Sequence, residues 1–213
     1  MAYCKAGRFE AALQKHIWFH ENALRLRRSL YGVRLSYALT AWVRLGKKYP
    51  KALSALKQIR DENESRLAGG ETNYGLFHDF ESINDHLGDS RSTVRLFKRI
   101  AARDPAFAES LYTVAEEALI AHGEFALARK YMGEAKSRLE DAVYFYENDL
   151  EYAAEHSQDY DEHRAYAERS FTKLVVLRLQ VLRHSGDAAL AREIQGRALK
   201  LCNNKKIRNA LGK

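Results

Sequence analysis

The sequence predicts an all-α protein, an array of helical hairpins without a sheet. Three observations carry that prediction. Two prolines in 213 residues leave room for long helices. Leu, Ala, Arg, Lys and Glu predominate, and all are strong helix formers. A glycine that closes one helical pattern and opens the next recurs along the chain. The clearest instance is HLGDSRSTVRLFKRIAARDP, which runs from His86 to Pro105. A small residue five places after Gly88, here Thr93, lets the two helices of a hairpin approach closely, and Phe97 and Ile100 then fill the groove between them. Pro105 has no N–H to donate, so it ends one helix and suits the first turn of the next.

The template recurs at Gly7-Arg8-Phe9 with Ala12, at Gly123-Glu124-Phe125 with Ala128, and at Gly186-Asp187-Ala188 with Ala191. A looser copy begins at Gly46, where Tyr49 and Ala52 each come one residue late. The glycines are 39, 42, 35 and 63 residues apart. One of these gaps lies close to the roughly 34-residue period of tetratricopeptide repeats, and the pattern resembles that family. Phe97, Met132 and Pro105 stand where the family pattern wants them. Ser90 and Ala188 replace the aromatic after the glycine, and the tryptophan of the first helix is missing.

The resemblance implies a right-handed α–α superhelix of about five hairpins over residues 1–213, a single domain whose first hairpin is incomplete. It also implies a concave groove lined by the first helix of each hairpin, where such repeats take an extended peptide or a partner's helix. In the family register the groove-facing residues are Ser36, Thr40 and Arg44, then His78, Ser82 and Asp85, then Thr113 and Glu117, then Lys173, Gln180 and Arg183. This lining lacks the Lys, Asn and Arg set with which chaperone-binding members clamp a C-terminal carboxylate, and that activity is not carried over.

In chain order, Met1 to Ala6 is expected to be the last turn of a leading helix, which would leave Leu13, Ile17, Trp18 and Phe19 open to a missing segment or to another subunit. Self-association through this end is therefore expected. Helices follow at Arg8–Leu26 and Tyr31–Leu45, the second with Leu35, Leu39, Trp42 and Val43 in helical spacing. Pro50–Leu67 carries Leu53, Leu56 and Ile59 on one side. Gly69-Gly70-Glu71-Thr72-Asn73 is the clearest break in the sequence and is expected to form an elbow. Helices are then predicted at Tyr74–Leu87, Asp89–Arg103, Pro105–His122 and Glu124–Ala135. Two longer ones, Ser137–His156 and Tyr160–Ser185, account for the 63-residue gap. The last repeat helix is Asp187–Leu201, and the basic tail from Lys205 is a cap or a short final helix.

Charge is divided along the chain. Residues 1–60 hold thirteen Lys or Arg against Glu10 and Glu21, a net of +11, whereas residues 140–162 hold nine acids and no Lys or Arg. The basic stretch suits an acidic protein partner or the acidic helix of a second copy. Nucleic acid is the alternative. Arg91, Arg95, Arg99 and Arg103 recur every fourth residue, and Arg25, Arg27, Arg28 and Arg34 cluster at a turn. Such stripes track phosphates, with Tyr31, Tyr37 or Trp42 for base stacking.

The sequence carries no phosphate-binding glycine loop, nucleophile elbow, His-Glu-x-x-His run or paired cysteine motif. No enzyme, cofactor or metal is expected. His16 and His20 have the spacing of two metal ligands on one helix, but no third ligand is fixed near them and a packing role is expected. Asp159, Asp161, Glu162 and His163 lack the glycine and spacing of a calcium loop and are read as an acidic helix start. Cys4 and Cys202 lie near opposite ends of the chain and are expected to be free thiols. No run of 18 apolar residues spans a membrane, and with no signal-like N-terminus a cytoplasmic protein is expected. The function expected is that of a non-enzymatic scaffold or adaptor, with a basic helical-repeat protein that holds RNA or DNA as the alternative.

Overall fold

The computed structural model describes residues 7–155 and 159–212. The expected end helix Met1–Ala6, with Cys4, lies outside these residues. Every regular element among the described residues is helical. In order they are α1 Phe9–Leu26, a 3-10 turn Arg28–Leu30, α2 Tyr31–Leu35, α3 Tyr37–Gly46, α4 Pro50–Ala68, α5 Tyr74–Leu87, α6 Ser90–Arg103 and α7 Pro105–Ala121. There follow α8 Phe125–Tyr131, α9 Ala135–Glu155, α10 Tyr160–His184, α11 Ala188–Leu201 and α12 Lys205–Asn209.

The predicted helix boundaries hold to within a residue or two except at two places. The single helix expected at Tyr31–Leu45 is broken at Ser36, whose backbone lies at φ −120°, ψ −88°. The Ser36 hydroxyl donates to the Gly32 carbonyl at 2.7 Å, the kind of local side-chain bond that competes with the helix ladder. The helix expected to run to Ala135 stops at Tyr131, because Gly133 takes φ +70° and turns the chain into α9.

The glycine template has a direct structural meaning. Gly7, Gly88, Gly123 and Gly186 all have φ between +71° and +80°, a left-handed conformation that side chains other than glycine rarely adopt. After Gly88 the Asp89 N–H donates to the Asn84 carbonyl at 2.8 Å, and the same six-residue closure follows Gly123 (Glu124 to Leu119, 2.9 Å) and Gly186 (Asp187 to Leu182, 3.0 Å). These are Schellman caps, which satisfy carbonyls left free at a helix end. The small residues five places on, Ala12, Thr93, Ala128 and Ala191, are all buried. Some helix starts are capped by a preceding side chain, among them those of α5 and α7. Asn73 accepts from the Leu76 N–H, Asp104 accepts from the Phe107 N–H one turn into α7, and Pro50 occupies the first turn of α4.

The chain forms two compact units, Met1–Ala115 and Glu116–Lys213. In the first, α3 packs on α4, α4 on α5 and α5 on α6, and next-but-one neighbours also touch, α3 with α5 and α4 with α6. Its core gathers Ala12, Leu13, Leu39, Trp42, Leu45, Ala52, Leu56 and Ile83, with Phe9 and Tyr49 at its edge. The Gly69–Asn73 break lies inside this unit, between α4 and α5, which pack against each other. In the second unit α9 and α10 form a long hairpin, α8 packs on α10, and α11 packs on both α9 and α10. Tyr146 stacks on Phe171 there, with centroids 4.7 Å apart.

The expectation that Leu13 lies open does not hold, because it is buried in the first unit's core. Ile17 and Phe19 are half-buried, and Trp18, 52% exposed, is the open residue of that group. No described helix is long and apolar enough to cross a membrane.

Candidate functional site

The first unit contains a cavity of about 470 Å³ walled by α1, α2, α4 and α5. Its construction starts from a buried charge. Arg34, only 5% exposed, is placed by the short helix α2 against Asp79 on α5. Its two terminal nitrogens donate to the two carboxylate oxygens, Nη1 to Oδ2 at 2.9 Å and Nη2 to Oδ1 in a tighter contact. A planar guanidinium matched to a carboxylate in this forked way is the strong form of the ion pair. Nη1 also lies 3.2 Å from His20 Nε2 on α1, and His20 stands 3.6 Å from the Asp79 carboxylate.

His20 is held neutral. Burial pushes its pKa down to about 4, the Arg34 charge acts in the same direction, and Asp79 opposes both. Its ring meets Trp42 edge-on at 6.1 Å. Tyr31, beside Arg34, shares a 2.9 Å hydrogen bond between its hydroxyl and His78 Nδ1. Burial and the Asp79 charge raise the Tyr31 pKa, and burial lowers that of His78. Both groups therefore stay neutral at ordinary pH.

Two donors in this wall are unspent. Arg34 Nε and Asn63 Nδ2 are buried and have no hydrogen-bond partner, and Asn63 is only 6% exposed. Both residues line the cavity, together with the apolar Leu24, Ile59 and Leu76 and with Glu21 and Glu62. Arg66, also in the lining, is spent on Glu71 through two 2.8 Å bonds. A buried donor without an acceptor costs about 1–3 kcal/mol, and both nitrogens are closed off from solvent.

None of the residues expected to face a groove lines this cavity. Thr40 and Arg44 are exposed on α3, and Ser36, at the break between α2 and α3, is exposed with its hydroxyl on the Gly32 carbonyl of α2. His78 is half-buried against Tyr31 and Tyr74. Ser82 is buried, with its hydroxyl on Glu81. Asp85 is exposed and lines a separate hollow of about 600 Å³ with Lys47, Lys57 and Arg60. Thr113 is exposed on α7. In the second unit Glu117 and Lys173 are joined by a 2.5 Å ion pair, the Gln180 carbonyl is bonded to His184 Nδ1, and Arg183 lies beside Gly212.

Several residues singled out for nucleic acid are occupied otherwise. Trp42 is 1% exposed and its indole N–H donates to the Ala52 carbonyl at 2.8 Å, so it cannot stack on a base. Arg34 is buried on Asp79. Arg103 donates to the carbonyls of Leu67 and Ala68, closing the C-terminus of α4. Arg91, Arg95 and Arg99 are exposed, as is Tyr37 at 79%. His16 stacks on Trp42 with centroids 5.5 Å apart, a packing role. Among the described residues no group of three or more His, Cys, Asp or Glu is placed to hold a metal ion. Cys202 is a buried free thiol.

Sequence reasoning missed Asn63, Asp79, Glu21 and Glu62, and placed Arg34 with the wrong set. One signal was present. Ala52, Leu56 and Leu67 mark the buried stripe of α4, and Asn63 falls on that stripe at helical spacing, a polar residue at a core position.

Compared with known proteins, the chain matches no family model, no curated protein and no solved structure.

Proposed function

We propose that the chain is a non-enzymatic binding module, a scaffold or adaptor that takes an extended segment of a partner protein against stacked helical hairpins. The observation that carries this reading is the open cavity of mixed polar and apolar lining between α1, α2, α4 and α5. An extended segment can lay a side chain into such a hollow while its backbone runs along the helices that wall it. The packing within the first unit supports the reading, since contacts between next-but-one helices are what a stack of hairpins produces. In this reading the hairpins belong to a right-handed superhelix of tetratricopeptide type, and Thr40, Arg44 and Asp85, exposed on the first helices α3 and α5, extend the contact surface beyond the cavity.

The nucleic-acid alternative is weakened because Arg34, Arg103 and Trp42 are occupied by the fold itself. Retention of partners on the immobilised protein, at low and high salt and with and without nuclease, separates the two. A binding module keeps the same protein partners after nuclease treatment. Loss of all retained material on nuclease digestion would overturn the proposal in favour of RNA or DNA.

A further inference from the structure

We infer that the outward face of α9 is a docking surface for the outward face of α1 on a second copy of the chain, an acidic and aromatic stripe on one copy seated on a basic and apolar stripe of the other. The contact does not involve the cavity between α1, α2, α4 and α5 and is independent of the binding-module reading.

α9 buries Ala135, Leu139, Ala142, Tyr146 and Ala153. Helical spacing gathers Asp141, Tyr144, Phe145, Glu151, Tyr152 and Glu155 on the opposite face, where all six are exposed. Tyr144, Phe145 and Tyr152 are each half or more open to solvent, and Tyr144 meets Phe145 edge-on with centroids 5.7 Å apart. Contiguous exposed aromatics of this kind mark a contact surface. Helix stability does not explain the acids between them. Glu147, Glu151 and Glu155 stand at four-residue spacing, where like charges repel. Glu155 also ends the helix, where a carboxylate opposes the helix dipole. Among the described residues Glu140 reaches Arg197 at 3.9 Å, whereas Asp141, Glu147, Glu151 and Glu155 have no cation on them. The face therefore calls for a basic partner with apolar side chains among its charges.

The same chain supplies one. α1 buries Ala12, Leu13 and Ala23 and presents Lys15, Trp18, Arg25 and Leu26 on its outer side, with Arg27 and Arg28 just beyond its end, all exposed. None of these cations has an ion pair among the described residues. The stripes from Lys15 to Leu26 and from Asp141 to Glu155 run for roughly 17 and 21 Å, so they match in length as well as in sign, and opposite charge selects the pairing of unlike faces. A contact of this size falls short of the standard interface of about 800 Å² per partner, which makes it a weak one. Because the two faces differ, the contact is head-to-tail, and a dimer keeps one free face of each kind for further copies.

Sedimentation velocity on the whole chain tests the pairing. At about 50 mM salt the average mass of the wild type is expected to climb with concentration, with a Kd on the order of 10–100 µM, and about 500 mM salt should weaken the association several-fold. Lys15→Glu with Arg25→Glu turns the α1 stripe acidic, and Asp141→Lys with Glu151→Lys and Glu155→Lys turns the α9 stripe basic. Each variant alone should associate at least tenfold more weakly. An equimolar mixture of the two should regain association, because the unaltered α9 of one meets the unaltered α1 of the other. Tyr144→Ser, a neutral change at an exposed position, should also cost about tenfold and gives the same answer if a charge reversal disturbs the fold, which thermal melts detect. A wild type that stays monomeric throughout would overturn the inference and leave the α9 face to a basic partner other than this chain. Folded variants that associate like the wild type, or a mixture of them that stays monomeric, would overturn the assignment of these two faces to each other.

Discussion

Arg34 can donate five hydrogen bonds, and its terminal nitrogens are committed to Asp79 and His20 while Nε is not. The charge tolerates burial only because Asp79 faces it. Asp79→Ala leaves a buried guanidinium without a counter-ion and is expected to cost about 3–5 kcal/mol, read by urea denaturation. Loss of under about 1 kcal/mol would mean that the pair is not buried in solution. His20 gives a second prediction, with a defined sign. Its folded pKa of about 4 lies below the ordinary 6.5, so as pH falls the unfolded chain takes up the proton first. Stability from this residue is complete above about pH 6.5 and is lost as pH falls towards about 4, at about 1.4 kcal/mol per pH unit and about 3 kcal/mol in all. Burial lowers His16 and His78 in the same direction and steepens the profile. His20→Gln should flatten it, and a wild-type profile level between about pH 7 and pH 5 would count against the buried placement. These residues were poorly legible in the sequence for a physical reason. Arg34 lies 14 residues from His20 and 45 from Asp79, and only tertiary packing brings them together. Read locally, Arg34 belongs with Arg25, Arg27 and Arg28.

Helix ends were legible because they are local chemistry. The Gly-x₄-small template identifies a left-handed glycine followed by a buried contact, and both features recur at Gly7, Gly88, Gly123 and Gly186. The looser copy at Gly46 is a different device. Gly46 is buried, is absent from the positive-φ glycines, and a Cβ placed on it would sit 2.9 Å from Leu53 Cβ on α4. One glycine is needed for its backbone angle and the other for close approach, and two substitutions distinguish them. Gly88→Ala, with open space around it, should cost about 1–2 kcal/mol from the left-handed backbone alone, and Gly88→Asn should recover part of that because asparagine tolerates the conformation. Gly46→Ala should cost about 1–3 kcal/mol from overpacking, and Gly46→Asn should be worse because it is larger. Thermal melts of the four variants give the ordering. Relief of Gly46→Ala by asparagine would contradict the steric account. The break at Ser36 was not legible, because a serine inside a helical pattern can point to solvent or bond back to its own helix, and spacing does not choose between them.

At the scale of the whole molecule the question is what the net charge of +7 and its uneven distribution are for. Periodicity and composition were enough to predict an all-helical chain. They could not show which arginines the fold consumes. With Arg34 on Asp79 and Arg103 on the end of α4, the exposed arginines of the two clusters are Arg25, Arg27, Arg28, Arg91, Arg95 and Arg99. If all six held phosphates, affinity for RNA or DNA would fall about 10³-fold between roughly 50 and 200 mM salt, because each neutralised phosphate releases a counter-ion. A protein segment held by apolar contact and hydrogen bonds against the helices loses only its screened ionic contribution, so its affinity should fall only a few-fold over the same range. The salt dependence of retention on the immobilised protein, measured for a labelled RNA and for the retained proteins, therefore separates the two readings without an identified partner. A steep dependence shared by both would place the binding on the exposed arginines and count against the protein-binding reading.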